Sequence, residues 1–164
     1  MIANPKAIAF TGHRKLPTGA DLEILRKKVY DEIEKVINQG YTRFYNGCAN
    51  GFDLLVLEIL IEKKQIIDIK NPVNIEVICV VPHEEQAKDY LESEREIYYY
   101  CHEKCDQVVM LNTKFKPSCF KQRNQYLIDH CDTVIAYYNS GFRSGTAQTI
   151  RMAKKKNIQI INLY

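Results

Sequence analysis

The chain has 164 residues, 46% of them hydrophobic, and its 23 Lys and Arg residues against 20 Asp and Glu residues give a net charge of +3. This length and hydrophobic content predict one globular domain over 1–164 with a sizeable core. A charge so close to neutral argues against nucleic acid and anionic membranes as partners. No stretch approaches the roughly 18 consecutive apolar residues that span a bilayer, and residues 1–10 hold no secretory leader, so we expect a cytoplasmic protein.

The first predicted strand, 6–11, ends in a cluster formed by Thr11, Gly12, His13 and Arg14. A glycine at this point brings the backbone close to a ligand, Arg offers a planar fork matched to phosphate, and His binds phosphate or transfers protons near neutral pH. In the alternative interpretation, His13 caps the following turn and Arg14 is a solvated surface residue. The glycine directly before them favours a functional role for the pair.

A glycine-containing turn follows the second predicted strand. Helix 20–39 carries an apolar stripe, strand 42–46 comes next, and the turn Asn46-Gly47-Cys48-Ala49-Asn50-Gly51-Phe52-Asp53 opens helix 51–65. Gly47 and Gly51 permit phosphate to approach the backbone, the N–H groups of the helix start attract anions, and Asp53 either caps those groups or accepts a ribose hydroxyl. A tight structural turn is the alternative, because the spacing matches no complete dinucleotide or phosphate-loop motif.

The sequence of the middle of the chain predicts secondary structure and adds no residue to the predicted ligand site. Residues 68–74, which include Pro72, are predicted to form a surface loop, strand 74–81 ends at Pro82, and a long helix is predicted over 83–103. His83 is interpreted as a residue of that helix start. Tyr90 and the run 98–100 lie on the same helix, where tyrosines at helical spacing are more often core or interface residues than base-stacking surfaces.

The remaining elements are predicted as strand 107–111, helix 119–130, strand 133–138, helix 145–156 and strand 158–163. Nearly continuous apolar strands that alternate with helices predict an α/β fold, a Rossmann-like three-layer sandwich with a mainly parallel sheet. The carboxyl ends of parallel strands lie along one edge, so the turns after the first, second and fifth strands should meet in one cleft. The last of these turns contains Ser144, Gly145 and Thr146.

The six cysteines fall mainly in predicted strands and helices, which fits reduced thiols in a protein with its own core. A zinc site is the alternative, with ligands drawn from Cys101, His102, Cys105, Cys119, His130 and Cys131. Structural zinc usually takes paired ligands at turns, whereas Cys101 and Cys105 lie four apart on one predicted helix. We therefore expect no metal site and no other cofactor.

These motifs, in this order, resemble the YpsA-type (DUF1273) branch of the SLOG superfamily. The resemblance covers nearly the whole chain and rests on Thr-Gly-His-Arg at 11–14, Asn-Gly-Cys-Ala-Asn-Gly-Phe-Asp at 46–53, Arg123-Asn124, Cys-Asp-Thr-Val-Ile-Ala at 131–136 and Ser-Gly-Thr at 144–146. It implies a Rossmann-like fold and a nucleotide or nucleotide-derived ligand across the strand ends. The superfamily includes the LOG phosphoribohydrolases, once named lysine decarboxylases, and DNA-processing protein A.

Patterns and resemblance together nominate thirteen ligand-binding residues, namely Thr11, Gly12, His13, Arg14, Asn46, Gly47, Gly51, Asp53, Arg123, Asn124, Ser144, Gly145 and Thr146. One departure from the phosphoribohydrolases favours binding over catalysis. Those enzymes carry Pro-Gly-Gly-x-Gly-Thr-x-x-Glu, whose acidic end assists cleavage of the bond between base and ribose. Here Gln148 stands near the place of the glutamate and the Pro-Gly-Gly is absent.

We therefore expect a sensor of a nucleotide-derived small molecule, with a protein partner or a second copy of the chain as further candidate partners. Two alternatives stay open. The first is an N-glycosidic hydrolase or transferase acting on nucleotides, in which His13 or Asp53 replaces the missing glutamate. The second is single-stranded DNA binding, which the net charge of +3 weakens because such affinity comes chiefly from neutralised phosphates.

Overall fold

The computed structural model describes residues 4–66, 69–141 and 143–164. Within these residues, strands alternate with helices in the order β1 (Lys6–Gly12), α1 (Gly19–Asn38), β2 (Tyr41–Asn46), α2 (Phe52–Gln65), β3 (Glu76–Val81), α3 (Glu92–Lys104), β4 (Gln107–Met110), α4 (Cys119–Asp129), β5 (Thr133–Tyr137), α5 (Gly145–Lys155) and β6 (Gln159–Asn162). The α/β alternation predicted from the apolar pattern is confirmed.

The strands form one parallel sheet in the order β4-β3-β2-β1-β5-β6. The chain adds strands outward from β1 to β4 and then crosses back, so that β5 pairs with the other side of β1. Ala9 of β1 consequently lies opposite both Tyr45 of β2 and Val134 of β5. Such a reversal of strand order leaves a crevice at the carboxyl ends of the two diverging strands.

Alternate side chains of β1 face opposite helical layers. Ile8 and Phe10 belong to a core shared with α1, α2 and α3, whereas Ala7 and Ala9 pack with Leu127 of α4. The small side chains on the second face let α4 lie close to β1, and α4 packs in turn against α5. Helices on both faces of the sheet complete the predicted three-layer sandwich.

The helix predicted over 83–103 is wrong in its first part. Residues 83–90 form turns, and α3 begins at Glu92. Gln86 donates from Nε2 to the Gly47 carbonyl at 2.9 Å, and the Tyr90 hydroxyl donates to the Cys48 carbonyl at 3.0 Å. These bonds to the turn between β2 and α2 override local helix propensity. His83 is therefore a turn residue and does not start a helix.

The surface loop predicted over 68–74 is confirmed for residues 69–74, which are exposed and irregular, while Asp68 lies outside the described residues. In the described part of the chain, no helix combines the length and the apolarity that crossing a membrane requires.

Candidate functional site

A cleft of about 270 Å³ opens at the carboxyl ends of β1 and β5. The turns after β1, β2 and β5 all reach it, and α4 closes its floor. The residues that line it are Phe10, Thr11, Gly12, His13, Arg14, Ala49, Asp53, Arg123, Asn124, Leu127, Ser144, Gly145 and Thr146. The cleft thus lies where strand order reverses between β1 and β5, and most of its lining side chains are polar.

The turn between β2 and α2 is braced by its own side chains. Asn46 is fully buried, accepts a hydrogen bond from the Cys48 N–H (2.8 Å) and donates to the Asp53 carbonyl (2.9 Å). Asp53 accepts from the Ala49 N–H through Oδ2 (3.1 Å). The N–H groups of Cys48 and Ala49 are thus satisfied within the protein and are not free for a phosphate, and Asn46 supports the turn from inside.

Two glycines allow the turn after β1 to lie against the start of α2. Gly51 has a φ of +83°, and a Cβ there would lie 2.2 Å from the Arg14 carbonyl oxygen. A Cβ at Gly12 would lie 2.4 Å from the ring of Phe52. The Phe52 N–H donates to the His13 carbonyl at 3.1 Å, which occupies one donor of the helix start. At both positions, a larger residue would block a contact within the protein.

Arg123 is buried on α4 and connects three elements. It donates from Nη1 to the Gly47 carbonyl and from Nε to Asn124 Oδ1 at 2.8 Å. Asn124 donates in turn to Gln148 Oε1 of α5 at 3.2 Å. We call these three side chains, Arg123, Asn124 and Gln148, the arginine relay. It joins α5 to the turn after β2, and it gives Gln148, which does not itself line the cleft, a structural partner in Asn124.

The side chain of Arg123 leaves no room for a Cβ at position 47, which is glycine. Gly47 does not line the cleft, and a Cβ at this position would lie 2.8 Å from Arg123 Nη1 and 2.9 Å from Arg123 Cδ. The close approach that the sequence assigns to phosphate is made by a guanidinium group instead.

Gly47→Ala should therefore displace Arg123 and break the arginine relay. Because a buried carbonyl and a buried amide lose a charged partner, we expect a loss of about 1–3 kcal/mol of unfolding free energy, measured by urea denaturation. Gly141→Ala is the matched control, since among the described residues a Cβ there meets only Asn139 Oδ1, at 3.4 Å. If the two variants are equally stable, Arg123 moves aside without any loss of unfolding free energy.

Asp53 is the carboxyl group of the cleft and is 5% exposed. Burial raises the pKa of Asp53 to about 6, against the opposing attraction of Arg123, of the Ala49 N–H and of Arg14. Its Oδ1 is buried and has no hydrogen-bond partner among the described residues. A buried oxygen without a partner is costly, and in a cleft it offers an acceptor to a ligand.

The ring of His13 is engaged within the protein. Its Nε2 accepts from the Asn139 N–H at 2.7 Å, so the neutral ring carries its proton on Nδ1. Partial burial lowers the pKa of His13, and Tyr137 and Tyr164 meet the ring edge-on. His13 thereby holds the turn after β5, a segment distant in the chain from the turn that the capping interpretation named.

The start of α5 presents N–H groups to the cleft. Ser144 is the N-cap, and its Oγ accepts from the Ala147 N–H at 3.2 Å. The N–H groups of Gly145 and Thr146 have no intrahelical acceptor because of their position in the first turn. Both residues line the cleft, where a helix N-terminus attracts anions.

Arg14 is exposed and lies where the cleft meets two flanking cavities. One cavity, of about 410 Å³, is lined by the rings of His83, Phe115 and Phe120, and the Arg14 guanidinium lies 5.9 Å from the Phe120 centroid. Asn50 also lines this cavity, and its Oδ1 is buried without a partner among the described residues. The other cavity, of about 470 Å³, is mostly apolar.

Among the predicted ligand-binding residues, the structure brings together Thr11, Gly12, His13, Arg14, Asp53, Arg123, Asn124, Ser144, Gly145 and Thr146. Asn46, Gly47 and Gly51 lie behind the lining. Sequence reasoning missed Asn50 and Phe120, although Asn50 is part of the glycine turn and Phe120 precedes Arg123 by one helical turn. Gln86 and Tyr90 carried no signal, since both were assigned to a helix.

The chain matches known proteins over most of its length. The YpsA family model, described as the YspA SLOG family, matches residues 8–163. The SPbeta prophage-derived protein YoqJ of Bacillus subtilis (strain 168) is 28% identical over 145 residues, which cover 80% of this chain and 81% of YoqJ. A UPF0398 protein of Bacillus cereus (strain B4264) is 24% identical over 160 residues, which cover 92% of this chain and 84% of that protein.

Two solved structures are similar in fold. DNA processing protein A from Helicobacter pylori, whose structure is described in terms of its single-stranded DNA binding mode, has a TM-score of 0.64 and 18% identity over 96% of this chain. The present chain spans 65% of the length of that protein. The X-ray structure of TM1055 has a TM-score of 0.59 and 19% identity, covering 94% of this chain and 72% of TM1055. At these identities the similarity establishes the Rossmann-like fold alone.

Proposed function

Because the chain belongs to the YspA SLOG family, we propose that its cleft binds a nucleotide or nucleotide-derived ligand, such as a nucleoside phosphate, NAD or ADP-ribose. The observation that carries the proposal is a buried, unpartnered carboxyl oxygen of Asp53 beside an anion-attracting helix start. The carboxyl oxygen lacks a hydrogen-bond donor among the described residues, and the helix start favours an anion. A ribose phosphate supplies both groups within one small molecule.

The phosphate is assigned to the start of α5, where it accepts from the N–H groups of Gly145 and Thr146 and pairs with Arg14. Arg123 uses two of its five N–H donors in the bonds described above and adds positive charge at the cleft floor. A ribose hydroxyl donates to Asp53 Oδ1, as it does to the acidic residue of dinucleotide sites. Above its pKa of about 6, Asp53 is ionised and acts as an acceptor.

The base is assigned to the flanking cavity that His83, Phe115 and Phe120 line. Aromatic rings provide flat apolar surfaces for stacking, and Arg14 connects this cavity to the phosphate position. The unpartnered Oδ1 of Asn50 accepts from an amino or ring N–H group of the base. This cavity therefore favours a purine or pyrimidine with an exposed donor over a purely apolar group.

Gly145→Val tests the phosphate position. A Cβ at Gly145 meets no described heavy atom within 4 Å, so the added side chain should fill the cleft without disturbing the protein. We expect affinity for the bound nucleotide to fall at least about tenfold, with unfolding free energy within about 0.5 kcal/mol of the parent. Calorimetric titration with nucleoside phosphates, NAD and ADP-ribose measures affinity, and Gly141→Ala should leave it unchanged.

Two results would contradict the proposal. If the unmodified protein binds none of these compounds, the ligand class is wrong. If the Gly145→Val variant binds one of them as tightly as the unmodified protein does, the ligand lies elsewhere. A crystal soaked with that compound would then locate it.

Hydrolysis or transfer at a ribosyl bond is the second candidate, and the buried Asp53 carboxyl favours it. A carboxyl group with a pKa of about 6 is suited to proton transfer near neutral pH. We expect the protein to release no free base from bound nucleotides above the uncatalysed rate. Chromatography of samples taken over hours measures that release. Release that disappears in Asp53→Asn would assign the protein to the hydrolases.

Single-stranded DNA is a third candidate, favoured by the fold shared with the Helicobacter pylori protein. Fluorescence anisotropy of a labelled oligothymidylate, measured across salt concentrations, tests it. With a net charge of +3, binding should be weak at physiological salt. Tight binding that Gly145→Val leaves intact would favour DNA over a small nucleotide.

A further inference from the structure

A cluster of two thiols and one imidazole lies beside the turn that follows β2. The Sγ atoms of Cys48 and Cys79 and a ring nitrogen of His102 all lie within 4.8 Å of one another. Both cysteines are fully buried. The three residues come from separate elements, namely the turn after β2, strand β3 and the last turn of α3. Cys105 lies next to the cluster, since its thiol donates to the His102 carbonyl at 3.2 Å.

The orientation of His102 aims a lone pair into the protein. Its Nδ1 lies 2.6 Å from the Tyr98 carbonyl, so Nδ1 carries the proton and donates, and Nε2 is unprotonated. This Nε2 is buried and has no hydrogen-bond partner among the described residues. A histidine that donates from one nitrogen to a backbone carbonyl and offers the other is the arrangement found in metal-ligating histidines.

We propose that Cys48, Cys79 and His102 form a binding site for a thiophilic divalent cation of the zinc class. Two thiolates and one neutral imidazole balance the charge of a divalent cation, so the complex brings no net charge into the core. On binding, each of the two S–H bonds is replaced by a sulfur–metal bond, and two protons pass to solvent. Sulfur and nitrogen ligands select zinc-like cations over magnesium and calcium.

The backbone of Cys48 gives independent support. Its φ of 59° is in the left-handed region, which is unusual for a residue other than glycine, asparagine or aspartate. Its N–H and carbonyl are both fixed, by Asn46 Oδ1 at 2.8 Å and by the Tyr90 hydroxyl at 3.0 Å. The turn thus holds the Cys48 thiol in the cluster. Because Ala49 lines the cleft, a bound metal would rigidify the segment next to the proposed ligand.

Sequence spacing did not indicate this site. The zinc site that the sequence offered as an alternative drew its ligands from residues 101–131. Two of the three ligands proposed from the structure, Cys48 and Cys79, lie far outside that range, in the turn after β2 and in β3. The packing of α3 against α2, in the core that α3 shares with β3, brings His102 to Cys48 and Cys79.

Cobalt titration tests the proposal directly. Protein stripped of metal by a chelator and kept under reductant should bind one Co²⁺ per chain, with a thiolate-to-cobalt charge-transfer absorption that Zn²⁺ abolishes by displacement. Cys79→Ser and His102→Gln should each weaken Co²⁺ binding at least about tenfold. His102 is only half-buried, so His102→Gln should fold even if a buried Cys→Ser variant does not. Circular dichroism checks both.

His130→Gln and Cys131→Ser are matched controls. His130 makes the same contacts as His102, with Nδ1 2.7 Å from the Tyr126 carbonyl and its ring stacked on Tyr126 at 3.9 Å, but it lies outside the cluster. Both controls should retain the cobalt absorption and a rise in melting temperature on adding Zn²⁺. Absence of the absorption in the unmodified protein, its persistence in His102→Gln, or a Cys48–Cys79 disulfide without metal uptake would overturn the proposal.

Discussion

Asp53→Asn is expected to stabilise the protein at neutral pH by as much as about 3 kcal/mol, because each pKa unit corresponds to about 1.4 kcal/mol. Burial raises the pKa of Asp53 from 3.8 to about 6 in the folded state. As pH rises through this interval, the unfolded chain releases the Asp53 proton before the folded chain does. The unmodified protein therefore loses stability between about pH 4 and about pH 6 and stays at the lower level above it. Asparagine carries no charge and escapes this loss.

Urea denaturation of both proteins at intervals from about pH 4 to about pH 8 measures the effect. Asp89→Asn is the control, since Asp89 is exposed. The same Asp53→Asn variant should bind the nucleotide at least about tenfold more weakly, because the amide replaces an ionised acceptor of the ribose hydroxyl. A variant less stable than the parent at neutral pH would show that attraction between Asp53 and Arg123 outweighs the cost of burial.

Gly51→Ala is expected to cost more than about 3 kcal/mol of unfolding free energy, since it combines backbone strain with a collision that the fold cannot relieve locally. The φ of Gly51 is +83°, and the new Cβ would lie 2.2 Å from the Arg14 carbonyl oxygen. The turn after β1 would have to separate from the start of α2. That movement would break the bond from the Phe52 N–H to the His13 carbonyl and shift Asp53 in the cleft.

Gly40→Ala separates the two contributions. Gly40 has a similar φ of +92°, but a Cβ there meets no described heavy atom within 4 Å. This variant should lose only about 1–2 kcal/mol from the left-handed backbone. Thermal and urea denaturation of both variants give the difference that is due to the collision. If the two variants are equally stable, the contact between the turn after β1 and α2 adjusts at little cost.

The fold was predictable because burial on both faces of a parallel sheet imposes a simple pattern. Strand β3, for example, is apolar from Val77 to Val81, and helices separate successive strands. The start of α3 was not predictable in the same way. Residues 83–90 include good helix formers, but Gln86 and Tyr90 bond to a turn about forty residues earlier in the chain, and no local pattern records such partners.

The cleft was predictable to the level of which strand ends meet, because topology fixes that edge. The roles within it were not. Gly47 has the sequence signature of a phosphate contact, yet the group that lies against it is Arg123, brought there from α4. Whether an N–H group is free for a ligand depends on which distant acceptor the fold supplies, as the bond between Phe52 and His13 shows.

The small side chains of Ala7 and Ala9 let α4 carry Arg123 close to the cleft and to the turn after β2. The helix that carries this arginine rests on the face of β1 where those two methyl groups lie, and Leu127, one turn further along, packs on that face. A bulkier residue at either position would lift the helix and withdraw the guanidinium, without replacing any residue that lines the cleft. The positive charge at the floor of the cleft is therefore open to change from within the core.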